Sequence, residues 1–153
     1  MSSQNLQLTR AIDVVPNDEV NIPYPNQVAS GITTGAGSFL LVDAGVDFVS
    51  LGIKNGDTVR NVLANTLAIV TSVSQTELGL AQDIFGSGDS YAIYQGSNIG
   101  CAIYVGVTGQ LSVLTAGNNT VLIDGIPSGS VLPLRVLRVN ATGTSASNII
   151  ALW

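Results

Sequence analysis

Histidine is missing from this chain of 153 residues, and lysine and cysteine occur once each, as Lys54 and Cys101. Without an imidazole no side chain has an ordinary pKa suited to trading protons near neutral pH. That excludes histidine general acid–base catalysis and any Ser-His-Asp or Cys-His nucleophile. A phosphate-binding loop needs a lysine beside its glycines, whereas Gly31, Gly35 and Gly37 sit in a Thr-rich turn remote in sequence from Lys54. A single cysteine cannot form an intrachain disulfide. Its neighbours Ile99, Ala102 and Ile103 predict a buried thiol that packs as a small hydrophobe.

Charge is scarce as well. Charged residues make up 10% of the chain, against about 25% in an average globular protein. The five cations, Arg10, Lys54, Arg60, Arg135 and Arg138, cannot form the basic stripe that displaces counterions from phosphates. With a net charge of −5, nucleic acid is not an expected partner. Aromatics are 5% of the residues, which weakens a carbohydrate-binding platform. No basic segment leads into an apolar run, and no uninterrupted apolar window is long enough to span a bilayer, so neither a signal peptide nor a membrane partner is expected. Asp43, Asp47, Asp83 and Asp89 lack the spacing of a calcium-binding loop and read as turn carboxylates, so no metal or cofactor is expected. Asn118-Asn119-Thr120 and Asn140-Ala141-Thr142 match the glycosylation sequon but read as turn chemistry.

What is present is 46% hydrophobic residue content, 17 glycines and a surface supplied with Ser, Thr, Asn and Gln. Short apolar runs alternate with turn residues, and no helical period is sustained for more than about two turns. The fold class is therefore all-β. Arg10 to Val15 and Val20 to Ile22 predict two short strands at the start, cut by Pro16, Pro23 and Pro25; Met1 to Leu8 is polar and expected to be loose. Phe39–Val42, Thr58–Leu63, Leu67–Val73, Glu77–Leu80 and Ser90–Tyr94 predict five strands of a small SH3-like barrel, with Leu67–Val73 central and covered on both faces. Ala102–Val107, Gln110–Leu114, Thr120–Ile123, Val131–Val139 and Asn148–Leu152 predict five more. Gly117-Asn118-Asn119 forms a hairpin turn, and Pro133 requires an edge or a bulge.

Arg10-Ala11-Ile12-Asp13-Val14-Val15-Pro16-Asn17-Asp18, then Ala102 to Gly106, Ile126 to Val136, Arg138-Val139, Ala141 to Ala146 and Ile149 to Trp153, resemble one small module of bacteriophage virion proteins. The module belongs to the capsid-decoration (cement) and head-spike-base kind. The segment between resembles another virion pattern, through Leu41-Val42-Asp43, Phe48, Gly52 to Val59, Val70-Thr71-Ser72-Val73, Asp83-Ile84-Phe85 and Tyr91 to Tyr94. The resemblance implies a discontinuous β-sandwich or barrel platform, residues 1–28 and 97–153, carrying an inserted small barrel at 29–96. It further implies a non-enzymatic virion structural protein on the exterior of the capsid. Its partners would be the major capsid protein and its own copies in a homotrimer at capsomer junctions. A head-spike or tail-fibre base and a carbohydrate-binding β-module are the alternatives.

The residues expected at interfaces are Arg10, Ile12, Val14 and Tyr24 on the extended, Pro-punctuated arm from Asn5 to Pro25, with Arg135, Arg138 and Trp153. The arginine pair suits a partner carboxylate. Tyr91 and Tyr94 are expected in or at the edge of a core, their hydroxyls reaching a polar partner.

Overall fold

The computed structural model describes residues 8–153. Most of the expected loose segment, and Asn5 to Gln7 of the arm, lie outside the described residues. The chain is all-β, with twelve strands: β1 (Ala11–Asp13), β2 (Gln27–Ile32), β3 (Leu40–Val42), β4 (Thr58–Asn61), β5 (Thr66–Val73), β6 (Glu77–Leu80), β7 (Ser90–Tyr94), β8 (Cys101–Val107), β9 (Leu111–Thr115), β10 (Thr120–Ile123), β11 (Ser130–Val139) and β12 (Ser147–Leu152). They form two antiparallel six-stranded sheets, one in each of two compact units.

The first unit is Met1–Ile22 with Asn98–Trp153, and its sheet runs β1-β12-β8-β11-β9-β10. Its first strand comes from the start of the chain: Ala11, Ile12 and Asp13 pair with Leu152, Ala151 and Ile150. Alternation sends Ile103, Val105, Leu111, Val113, Val136, Val139, Ile149 and Ala151 into one core. Val14, Ile22, Ile126 and Ala146, all outside the strands, complete it. Val20–Ile22, expected as a strand, is loop: Val20 and Ile22 are buried, but a single Ile22 N–H to Leu137 carbonyl bond of 2.9 Å does not make a ladder. Pro133 lies on an interior strand and is accommodated by a bulge, since the β11–β8 register shifts between Leu132 and Val136. Beyond that bulge β11 leaves β8 and pairs with β9, Val139 facing Val113.

The second unit is Pro23–Ser97, with strand order β2-β7-β4-β5-β6-β3. Leu41, Phe48, Ile53, Val59, Ala68, Val70, Leu78, Leu80, Phe85, Tyr91 and Ile93 make its core, and Phe48 meets the Tyr91 ring edge-on with centroids 6.2 Å apart. Two expectations are corrected here. The boundary expected at 28/29 falls inside β2, whose residues pair with β7; the contact boundary is at 22/23 because β2 belongs to this sheet. The sheet is also not a closed barrel: only one isolated bridge, Gly35 to Val42, joins the extension of β2 to β3. In β5 the first half is covered at Leu67, Ala68 and Val70, whereas Thr71 and Ser72 are exposed, so coverage of both faces stops midway.

Candidate interaction surfaces

The buried polar groups of the second unit hold its loops. Tyr91, 1% exposed, donates its hydroxyl to Asp43 Oδ2 at 2.7 Å, and the Gly45 N–H donates to Asp43 Oδ1 at 2.9 Å. Burial, and then the hydrogen bond and charge of Asp43, push the Tyr91 phenol above its ordinary pKa. The pair fits only because residue 31 is glycine: a Cβ there would stand 2.6 Å from the Tyr91 hydroxyl and 3.0 Å from Asp43 Oδ2. A second network ties the loop before β7. Asn61, fully buried, donates to the Ile84 carbonyl at 2.7 Å and to Asp89 Oδ2 at 3.0 Å, and accepts from the Ala64 N–H at 2.9 Å. The Thr33 hydroxyl donates to the Gly86 carbonyl at 2.6 Å and accepts from the Asp89 N–H at 2.9 Å. Both carboxylates are thus committed to satisfying buried donors.

Asp83 accepts from the Phe39 N–H at 2.9 Å beside a shallow recess lined by Ala36, Gly37, Ser38, Asp83 and Phe85. Phe39 itself is half exposed at φ 57°, a left-handed conformation that costs a bulky residue about 1–2 kcal/mol. Among the described residues, no group of three or more His, Cys, Asp or Glu is placed to hold a metal ion. Cys101 is buried, and burial pushes its thiol up to about 12, so it is not a thiolate nucleophile at neutral pH.

The residues expected at interfaces divide into distinct environments. Val14 is in the core of the first unit, and Ile12 and Trp153 pack against that core; their apolar surface is largely spent within the chain. Arg10 is exposed, and its backbone pairs with Trp153 through bonds of 3.1 and 2.9 Å, extending the β1–β12 ladder to the last residue. Arg138 braces the loop after β1: its Nε donates to Asn140 Oδ1 at 2.9 Å, and its Nη1 reaches the Glu19 carbonyl at 3.5 Å and Asn21 Oδ1 at 3.4 Å. The same loop is clamped by Thr142, whose N–H and hydroxyl donate to Asp18 Oδ1 and Oδ2 at 2.9 and 2.8 Å. Those two bonds hold the Asp18 carboxyl below its ordinary pKa. Arg135, three positions before Arg138, is exposed. Tyr24 belongs to the second unit, half buried with its ring beside Gly96.

Sequence reasoning missed the apolar end of the second sheet. Ile32 pairs with Ser90, and from the other side Val62 donates its N–H to the Ser90 carbonyl at 2.8 Å. Ile32, Val62 and the adjoining Leu63 therefore gather at one end of that sheet, with Leu63 76% exposed. Leu63 stood in the sequence as the end of an expected strand; the turn Val62 to Asn65 instead projects it into solvent. No protein-family model, curated protein or solved structure matches this chain.

Proposed function

We propose that this chain is a capsid decoration protein that binds the outer face of a phage head and stabilises the junctions between capsomers as a homotrimer. The observation that carries the reading is the cluster at Ile32, Val62 and Leu63: large apolar side chains left in solvent at the end of a rigid sheet. Such a patch marks a contact surface rather than a reaction site. The scarcity of charge, five cations and ten acids in 153 residues, supports the same reading, because few ions need be stripped of water on assembly. The acids nearest to a cleft, Asp43 and Asp89, are already occupied by internal donors.

The mechanism is additive contact. Each copy bridges neighbouring capsid subunits, and a modest interface repeated over the shell sums to a large stabilisation. The test is cosedimentation of the purified chain with heads assembled from the major capsid protein encoded alongside it. Leu63→Asp and Val62→Ser should abolish cosedimentation while leaving the thermal melt unchanged, since neither side chain is in the core. Full binding by both variants would refute this surface; no binding by the unaltered chain would refute the capsid partner and leave a head-spike or fibre base.

A further inference from the structure

The outer face of the first sheet carries a second surface, made by register. Asp13 pairs with Ile150, Ile150 with Tyr104, and Tyr104 with Val131, so these four side chains line one row across β1, β12, β8 and β11. The adjacent row on the same face contains Ala11, Leu152 and Ala102. The alternate residues, Ile12, Ala151, Ile103 and Leu132, point the other way into the core, which fixes the first set as outward. On β11 the outward positions are Val131, Pro133 and Arg135, all exposed.

This face has an apolar centre, Tyr104, Ile150, Leu152 and Val131, with one anion and one cation on opposite flanks. Asp13 lies on the edge strand β1 and Arg135 on β11, three strand spacings or about 14 Å apart. At that separation they cannot pair within one chain. Among the described residues neither side chain has a hydrogen-bond or ion-pair partner. The contrast with Arg138, which is fully engaged inside the unit, is sharp.

We infer that this face binds a second copy of the same chain, with Arg135 of one copy meeting Asp13 of the next over their joined apolar centres. Charge complementarity chooses the occupant. The face bears its own counter-charge, so a neighbouring copy satisfies both flanks, whereas a uniformly acidic or basic partner would leave one flank repelled. The joined surfaces differ, one copy offering Arg135 and the other Asp13, and a heterologous contact of this kind closes in a ring of copies. The patch is small, about 14 Å between its flanking strands, well under the ~800 Å² per partner of a standard interface. Self-association in dilute solution is therefore weak, and it is strengthened where copies are held side by side. This contact does not depend on the capsid reading.

Sedimentation velocity of the full chain over a wide concentration range tests it. The unaltered chain should associate with rising concentration, less so at high salt, because the ion pairs are screened. Arg135→Asp or Asp13→Arg alone should weaken association by about tenfold through like-charge contact. The double swap, Arg135→Asp with Asp13→Arg, should restore it. Tyr104→Ala, which removes the central ring, should abolish association with the melt unchanged. A chain that stays monomeric throughout overturns the inference, as does a double swap that fails to restore association. Association indifferent to all four variants overturns it too, by placing the contact elsewhere. Loss of capsid cosedimentation with self-association intact would count against the function proposed above and not against this contact.

Discussion

Removing one oxygen atom, in Tyr91→Phe, tests the packing logic of the second unit. The ring stays, so Phe48 keeps its edge-on partner and no cavity opens. What is lost is the donor that meets Asp43 Oδ2 at 2.7 Å in a site where Asp43 is 5% exposed. A hydrogen bond to a charged group contributes about 1.5–3 kcal/mol, and a buried acceptor left short of a donor sits near the top of that range. With a urea m-value of about 1 kcal/mol per molar for a unit this small, the unfolding midpoint should fall by about 2 M. Gly31→Ala attacks the same pair from the other side, because its Cβ would stand 2.6 Å from the hydroxyl; overpacking of this sort costs about 1–3 kcal/mol. Combined with Tyr91→Phe, the alanine loses its worst clash, so the two changes should be non-additive by about 1 kcal/mol. Far-UV circular dichroism follows the transition, and Trp153, the chain's one tryptophan, reports separately on the first unit. A midpoint unchanged by Tyr91→Phe, or strict additivity in the double variant, would refute the reasoning.

Other outcomes follow from single sites. Phe39→Gly relieves a left-handed backbone at a half-exposed residue and should raise stability by about 1 kcal/mol in a urea titration. A loss of stability would mean the ring is packed. Cys101 should resist a thiol reagent at pH 8 until the chain unfolds. Its folded pKa is raised from 9.0 to about 12, so the stability it contributes is complete below pH 9 and is lost as pH rises through that window, by about 1.4 kcal/mol per unit. Cys101→Ala should flatten that alkaline slope, and an unchanged slope would exclude the thiol as its source. For Asp18 the sign reverses: a lowered pKa gives stability that is present above 3.8 and lost as pH falls through the folded value. Asp18→Asn should blunt the acid end of the stability profile.

Much of the strand pattern was legible because turns carry chemistry of their own. Glu77–Leu80, Ser90–Tyr94 and Thr120–Ile123 coincide with observed strands, bounded by Ser, Gly, Asp and Asn residues that end a ladder. β2 was not legible. Its residues Gln27 to Ile32 are small, contain Gly31 and follow Pro23 and Pro25, and they become a strand only because β7 offers a partner. Val20–Ile22 looked like a strand because its two apolar residues alternate, whereas they are loop residues that plug a core. Val14 has the same history: its place on an extended arm suggested a contact surface, and the strand pairing beside it turned it inward. The outward row from Asp13 to Val131 joins residues more than a hundred positions apart, so it needed three registers to be known at once. One local trace of it exists in the sequence: β8 alternates Ala102 and Tyr104 with Ile103 and Val105, apolar on both faces where a solvent-facing strand would be polar.

The proposal that this chain decorates a phage head is tested most directly by its copy number on purified particles from the genome that encodes it, measured by quantitative mass spectrometry against the major capsid protein. The account predicts a number that matches the capsomer junctions of the shell, accessible to external protease and lost on stripping of the outer surface. A complement fixed by one vertex or by the tail, or absence from the particle, would contradict it.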